Sequence, residues 1–260
     1  MPHFPNFPPL DPPLSYAEYT DTLHIEQSEA LQYLDSATAD WSVPDSLKHK
    51  VRNNGELAPF YGDTVVFILP EEARQRIGGV MERLTALQEM LAVPLDRKQL
   101  HLTLHDLSNS PSELQITSQI ALNEVKVKAV MKRIWHYLEL HPDQRKIKMV
   151  SSSVYPCLNI SVLLGFKPKT EQDFNKLINL YRLFDEVVYL DYGFRPHVTL
   201  SYFAPRVMNR DEIVKLSGLL KDLNRGSIEL ELDMFDIAYQ HFFNMNHYET
   251  LFTLKGPVVN

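Results

Sequence analysis

The chain has 260 residues, 44% of them hydrophobic and 23% charged, and a formal net charge of −7. This is the composition of an ordinary globular protein, long enough for a sizeable core in one large domain or two small ones. No apolar run approaches the roughly 18 to 20 residues that span a bilayer, and the single cysteine, Cys157, excludes an internal disulfide and a thiolate-rich zinc site. Residues 1–5 show neither the basic nor the apolar part of a secretory leader, so a reducing compartment is expected, the cytoplasm or the nucleus. The charge is uneven: residues 1–60 carry nine acidic and three basic side chains, and the remainder is close to neutral. An acidic extension on a near-neutral body argues against gripping long duplex nucleic acid by its backbone. A nucleotide or a short oligomer in a cleft remains compatible with it, and no membrane partner is expected.

Residues 1–14 hold six prolines among Phe4, Phe7 and Leu10 and read as an extended arm. Short helices follow at 16–36 and 44–53, the second opened by Pro44 and followed by Gly55. From there the pattern is regular. A buried strand at 64–69 ends at Pro70, and a helix over 71–91 carries Ile77, Val80, Met81, Leu84, Leu87 and Leu91 on one face. A strand at 98–107, a polar turn at 107–112 and a long helix at 117–140 come next. Strands at 146–152 and 157–166 are expected to meet at a turn around Tyr155-Pro156. A helix behind Thr170, a strand at 195–204, a helix at 209–223 and strands at 227–238 and 248–255 complete the chain.

Two of these strands carry the same motif: His101-Leu102-Thr103-Leu104 and His197-Val198-Thr199-Leu200. Side chains alternate along a strand, so each His shares a face with its Thr while the apolar residues turn the other way. Each motif strand follows one helix, precedes another and then a strand pair, and the succession occurs twice. The expected fold is therefore α+β: two pseudo-symmetric lobes, antiparallel sheets lining a central cleft, helices outside. Residues 1–59 form an acidic, Pro-rich extension and residues 60–256 the two-lobed body.

One His-x-Thr alone is more often a hydrogen-bonded structural histidine than a catalyst; the pair carries the functional reading. Two imidazoles near neutral pH can hold opposite protonation states, one taking a proton from a nucleophile and one giving a proton to a leaving oxygen. Two threonine hydroxyls beside them suit the non-bridging oxygens of a phosphate diester. The rival chemistry is a two-histidine metal centre, which needs at least one more ligand.

Paired His-x-Thr-Leu motifs about a hundred residues apart in a duplicated α+β chain resemble the 2H phosphoesterase superfamily, the group of the bacterial 2′-5′ RNA ligase-like proteins and the cyclic phosphodiesterases. The resemblance covers about residues 60–256. It implies hydrolysis of a 2′,3′-cyclic phosphate or a 2′-linked phosphodiester of a nucleotide or RNA end, with no metal and no cofactor. It makes His101 and His197 the acid/base pair and Thr103 and Thr199 the phosphate-binding hydroxyls. The lead-in at 55–66 is similar to an uncharacterised branch of the superfamily.

Further candidates for substrate contact come from the residues themselves. His105 and Ser201 stand two places beyond each Thr and share its face in a regular strand. Arg195 precedes the second His by two and suits a phosphate charge. Phe60 and Tyr61 suit stacking on a base, Tyr61 being the one expected to do so. His241 lies in an aromatic run that could line the cleft, and Tyr202 is expected in the core. The basic stretch over 126–148 reads as a solvated helix face. A non-catalytic module that holds a nucleotide or RNA end, or a metal-dependent hydrolase, is the alternative to the metal-free enzyme.

Overall fold

The computed structural model describes residues 14–36 and 41–257. The expected arm over residues 1–14 lies almost wholly outside them. A first helix, α1 (Tyr16–Asp35), starts at a capping box in which Ser15 and Glu18 each accept from the other's backbone N–H. A short α2 (Asp45–Lys50) follows. The chain then turns through Gly55, whose φ of +83° favours a residue without a Cβ, and enters β1 (Tyr61–Ile68).

Next come α3 (Glu71–Leu84), β2 (His101–Ser110), α4 (Glu113–Leu140), β3 (Lys146–Cys157), β4 (Ser161–Pro168), α5 (Glu171–Phe184), β5 (His197–Tyr202) and α6 (Arg210–Leu223). The chain closes with β6 (Glu229–Asp233), β7 (Ile237–Asn244), β8 (His247–Thr253) and β9 (Gly256–Pro257). The helix expected over 71–91 ends at Leu84 and continues as a 3-10 segment to Met90.

Two antiparallel sheets result, in the orders β2-β1-β7-β8-β9 and β5-β4-β3-β6. The expected two-lobed α+β architecture is present, but the chain crosses between lobes differently from the simple repeat. The strand pair after α4 joins the second sheet, and the chain returns to the first only at β7. Each motif strand is the edge of its own sheet, and the two edges lie against each other. That contact covers two otherwise open edges and makes the cleft. One continuous apolar core runs through both lobes, from Leu34, Trp41 and Leu47 to Phe166, Phe184 and Phe203.

The hairpin between β3 and β4 differs from expectation. Pro156 lies inside β3, opposite Val162, and the turn falls at Leu158 and Asn159, with φ of 48° and 56°. Proline is tolerated there because β6 pairs only with residues 146–150 of β3, which leaves that side of Pro156 without a ladder partner. The polar turn expected at 107–112 is also strand as far as Ser110, because Ser108, Asn109 and Ser110 pair with Asp63, Gly62 and Tyr61.

A buried polar knot ties the first sheet to α4. The Asp63 carboxylate accepts from the Ser108 N–H at 2.9 Å, Asn123 Nδ2 at 3.0 Å and the Tyr239 hydroxyl at 3.0 Å. Burial raises its carboxyl above the usual range while these three donors oppose the shift. Asp63→Ala strands the Ser108 N–H and an Asn123 N–H, while the Tyr239 hydroxyl can turn to the Ile120 carbonyl 3.3 Å away, so urea unfolding should show a loss of about 2 kcal/mol, on the order of one for each stranded donor. A loss under about 1 kcal/mol would mean that water replaces the carboxylate.

Candidate active site

The cleft, about 250 Å³, is lined by His101, Thr103, His197 and Thr199 together. Both imidazoles are anchored in the same way. His101 Nδ1 lies 2.8 Å from the carbonyl oxygen of Gln99, and His197 Nδ1 lies 2.8 Å from that of Arg195. A carbonyl only accepts, so both rings carry hydrogen on Nδ1 and leave Nε2 for chemistry. Among the described residues, none hydrogen-bonds to either Nε2 or to the Thr103 and Thr199 hydroxyls. The Tyr248 ring meets His101 edge-on at 4.7 Å and fixes its plane.

Burial in the cleft pushes the His101 imidazole down to about 4, against the Gln99 hydrogen bond, and the charge of His197 lowers it further. His197 is lowered as well, chiefly by burial, with Lys50 adding to the shift while the Arg195 carbonyl and Asp106 oppose it. Both rings are therefore neutral at pH 7.

A register slip in each motif strand determines what else faces the cleft. In β2, Val66 pairs with Thr103 and Val65 with His105, so Leu104 is an extra residue. In β5, Leu163 pairs with Thr199 and Val162 with Ser201, so Leu200 is the extra residue. The bulge comes directly after the threonine in both copies and reverses the alternation beyond it. Asp106 and Tyr202, three places past each Thr, thus line the cleft. His105 and Ser201 do not.

His105 is buried, with Nε2 3.1 Å from Asp185, which caps the end of α5, and Nδ1 2.7 Å from the Asp106 carbonyl. It borders an adjoining cavity of about 140 Å³, with Tyr155, Tyr181, Tyr192 and Phe194, rather than the cleft itself. Ser201 donates to the Tyr202 carbonyl and faces the side of the sheet away from Thr199.

Three other candidates also take different places. The Arg195 guanidinium is held by Glu26 of α1 in two bonds of 2.5 Å, so its contribution to His197 is its carbonyl. Tyr61 packs edge-on against Phe243, and its neighbour Phe60 lines the cleft instead. His241 pairs with Asp63, one residue off the cleft-facing Thr64, and its Nε2 lies 3.2 Å from the Tyr239 hydroxyl. It belongs to the polar knot beneath α4.

Tyr202, expected in the core, is buried there and also forms part of the cleft wall, with its hydroxyl 3.0 Å from Met245 Sδ. Lys50, Asp106, Asn109 and Tyr248 are lining residues that the sequence did not mark. Among the described residues no cluster of three His, Cys, Asp or Glu that could hold a metal ion occurs, and no helix is long and apolar enough to cross a membrane.

No family model matches the chain, and no curated protein matches it. Solved structures do. The conserved protein of unknown function ATU0111 from Agrobacterium tumefaciens superposes with a TM-score of 0.63 at 18% identity, over 86% of this chain and 98% of that one. The two share a fold. A phosphoesterase matches with a TM-score of 0.39 at 16% identity, over 74% of this chain and 96% of its own. E. coli LigT complexed with 3′-AMP matches with 0.43 at 14% identity, over 74% and 95%.

Proposed function

We propose that the chain is a metal-independent phosphodiesterase that hydrolyses a 2′,3′-cyclic phosphate or a 2′-linked phosphodiester of a nucleotide or RNA end. The observation that carries this reading is the matched pair of imidazoles, each with Nδ1 bound to the carbonyl two residues before it and Nε2 unengaged, beside two unengaged threonine hydroxyls. We take His101 as the base and His197 as the acid; burial lowers both rings. His101 Nε2 takes a proton from water as the water oxygen bonds to phosphorus. The P–O bond to the ribose oxygen breaks, and that oxygen takes the proton from His197 Nε2. Thr103 and Thr199 donate to the non-bridging oxygens. The anionic phosphate and Asp106 favour the imidazolium that the acid role needs.

The test is product release from nucleoside 2′,3′-cyclic phosphates and 2′-5′-linked dinucleotides in the presence of EDTA, with the His101→Ala/His197→Ala double variant as control. Turnover that survives chelation and needs the histidines supports the reading. Binding of these compounds without turnover would replace it with a nucleotide-holding module, and turnover abolished by EDTA with a metal-dependent hydrolase.

A pH profile checks the roles. The base works only above about pH 4, where His101 is neutral, and the acid only below the lowered value of His197. The profile of kcat/KM should thus be a bell on the acid side of the ordinary imidazole value near 6.5. The kcat profile should extend to higher pH, because bound phosphate raises the acid's value. An alkaline limb of kcat/KM above pH 7 would reassign the acid to another group.

A further inference from the structure

We propose that Lys50 is the anion-binding cation of the cleft and grips the substrate phosphate, a role that rests on the phosphodiesterase reading above. Residues 1–59 otherwise read as an extension to the body at 60–256, so this assigns part of the extension to substrate binding.

Lys50 is the only lysine or arginine among the described residues that line the cleft. Its position is fixed from behind. Leu47 and Val51 are fully buried beside it, its carbonyl accepts from the Ala58 N–H at 2.8 Å, and Val51 bridges to Leu57 across the turn at Gly55. The ammonium stands 5.3 Å from the Phe60 ring and 5.6 Å from the Tyr202 ring. Both rings are buried, and Tyr202 is held through its hydroxyl at Met245.

The neighbours are π-faces rather than carboxylates. Lys48, two residues earlier, pairs with Asp45 at 2.8 Å; Lys50 has no ion-pair partner among the described residues. Aromatic faces orient an ammonium without cancelling its charge, so the charge stays available to an anion. That charge reaches the lining groups: it adds to the lowering of His197 and opposes the burial that raises Tyr202 and the Cys157 thiol. With both imidazoles held neutral, and with Asp96 and Asp106 on the walls, Lys50 is the one permanent positive charge among the described residues that a phosphate entering the cleft meets. A point charge on a flexible stem suits a phosphate oxygen.

The experiment is calorimetric titration of the full chain with inorganic phosphate, and separately with an uncharged nucleoside, for the wild type, Lys50→Met and Lys50→Arg. Methionine keeps the aliphatic stem between the two rings, and thermal melting of each variant monitors the fold. Phosphate should bind about 10-fold to 100-fold more weakly to Lys50→Met, with most of the loss restored in Lys50→Arg and nucleoside affinity unchanged. KM for a cyclic nucleotide should rise in parallel. Equal phosphate affinity in wild type and Lys50→Met, with turnover intact in both, would overturn the role of Lys50 alone. A wild type that neither binds phosphate nor turns over any phosphodiester would overturn the phosphodiesterase reading together with it.

Discussion

Alanine at His101 or at His197 is expected to lower kcat/KM by about a thousandfold in each case, within the usual range for losing one positioned proton-transfer group. Each ring sits at the start of its motif strand and uses one nitrogen to hold its orientation and the other to work. Truncation removes one anchoring hydrogen bond and leaves the buried Leu102 or Val198 beside it untouched, so stability should fall by only about 1 kcal/mol. The double variant should be little worse than either single one, because the base has no purpose without the acid. Initial rates on the cyclic phosphate found active, with circular dichroism on the same samples, decide the matter. A rate within tenfold of wild type in either variant would remove that ring from the proton transfer.

What the sequence made legible ends at a physical boundary two residues into each motif. His101 with Thr103, and His197 with Thr199, could be placed on one face because a strand alternates, and nothing interrupts the alternation across that span. The next step fails because Leu104 and Leu200 are extra residues in the ladder. No side-chain type marks them, since leucine is as good in a regular strand as in a bulge. The alternation therefore selects His105 and Ser201, while the structure brings Asp106 and Tyr202 into the cleft.

The exchange of strands between lobes was hidden for a related reason. Which sheet a strand pair joins is decided by distant partners, and the β3-β4 pair reads the same whether it extends the sheet of β1 and β2 or that of β5 and β6. Local punctuation was also misleading at Pro156, since a proline whose strand lacks a ladder partner on one side needs no turn. The better sign was Asn159, a residue type that tolerates the left-handed backbone found there. Lys50 had no sequence signal at all. Its placement depends on the buried Leu47 and Val51 beside it and on two rings contributed from 10 and 152 residues further along the chain.

The Thr103→Val/Thr199→Val double variant is expected to lose about a thousandfold in kcat, with each single variant losing roughly 10-fold to 100-fold. A hydrogen bond to a charged group is worth about 1.5 to 3 kcal/mol, and the two hydroxyls act on one phosphate. The substitution isolates the hydroxyl well. Valine keeps the β-branched shape that suits the strand, and no protein group among the described residues takes either hydroxyl, so no internal hydrogen bond is broken. Thr64 gives the contrast within the same cleft wall. Its hydroxyl donates to the His105 carbonyl at 3.0 Å, so Thr64→Val should cost stability rather than rate. The division between kcat and KM then shows when the motif hydroxyls act. A fall in kcat at constant KM means that their bonds tighten as charge builds on the phosphoryl oxygens. A rise in KM at constant kcat means that they hold substrate and transition state equally. If the double variant turns over at the wild-type rate, neither hydroxyl touches the reacting phosphate, and the repeated His-x-Thr contributes its histidines alone.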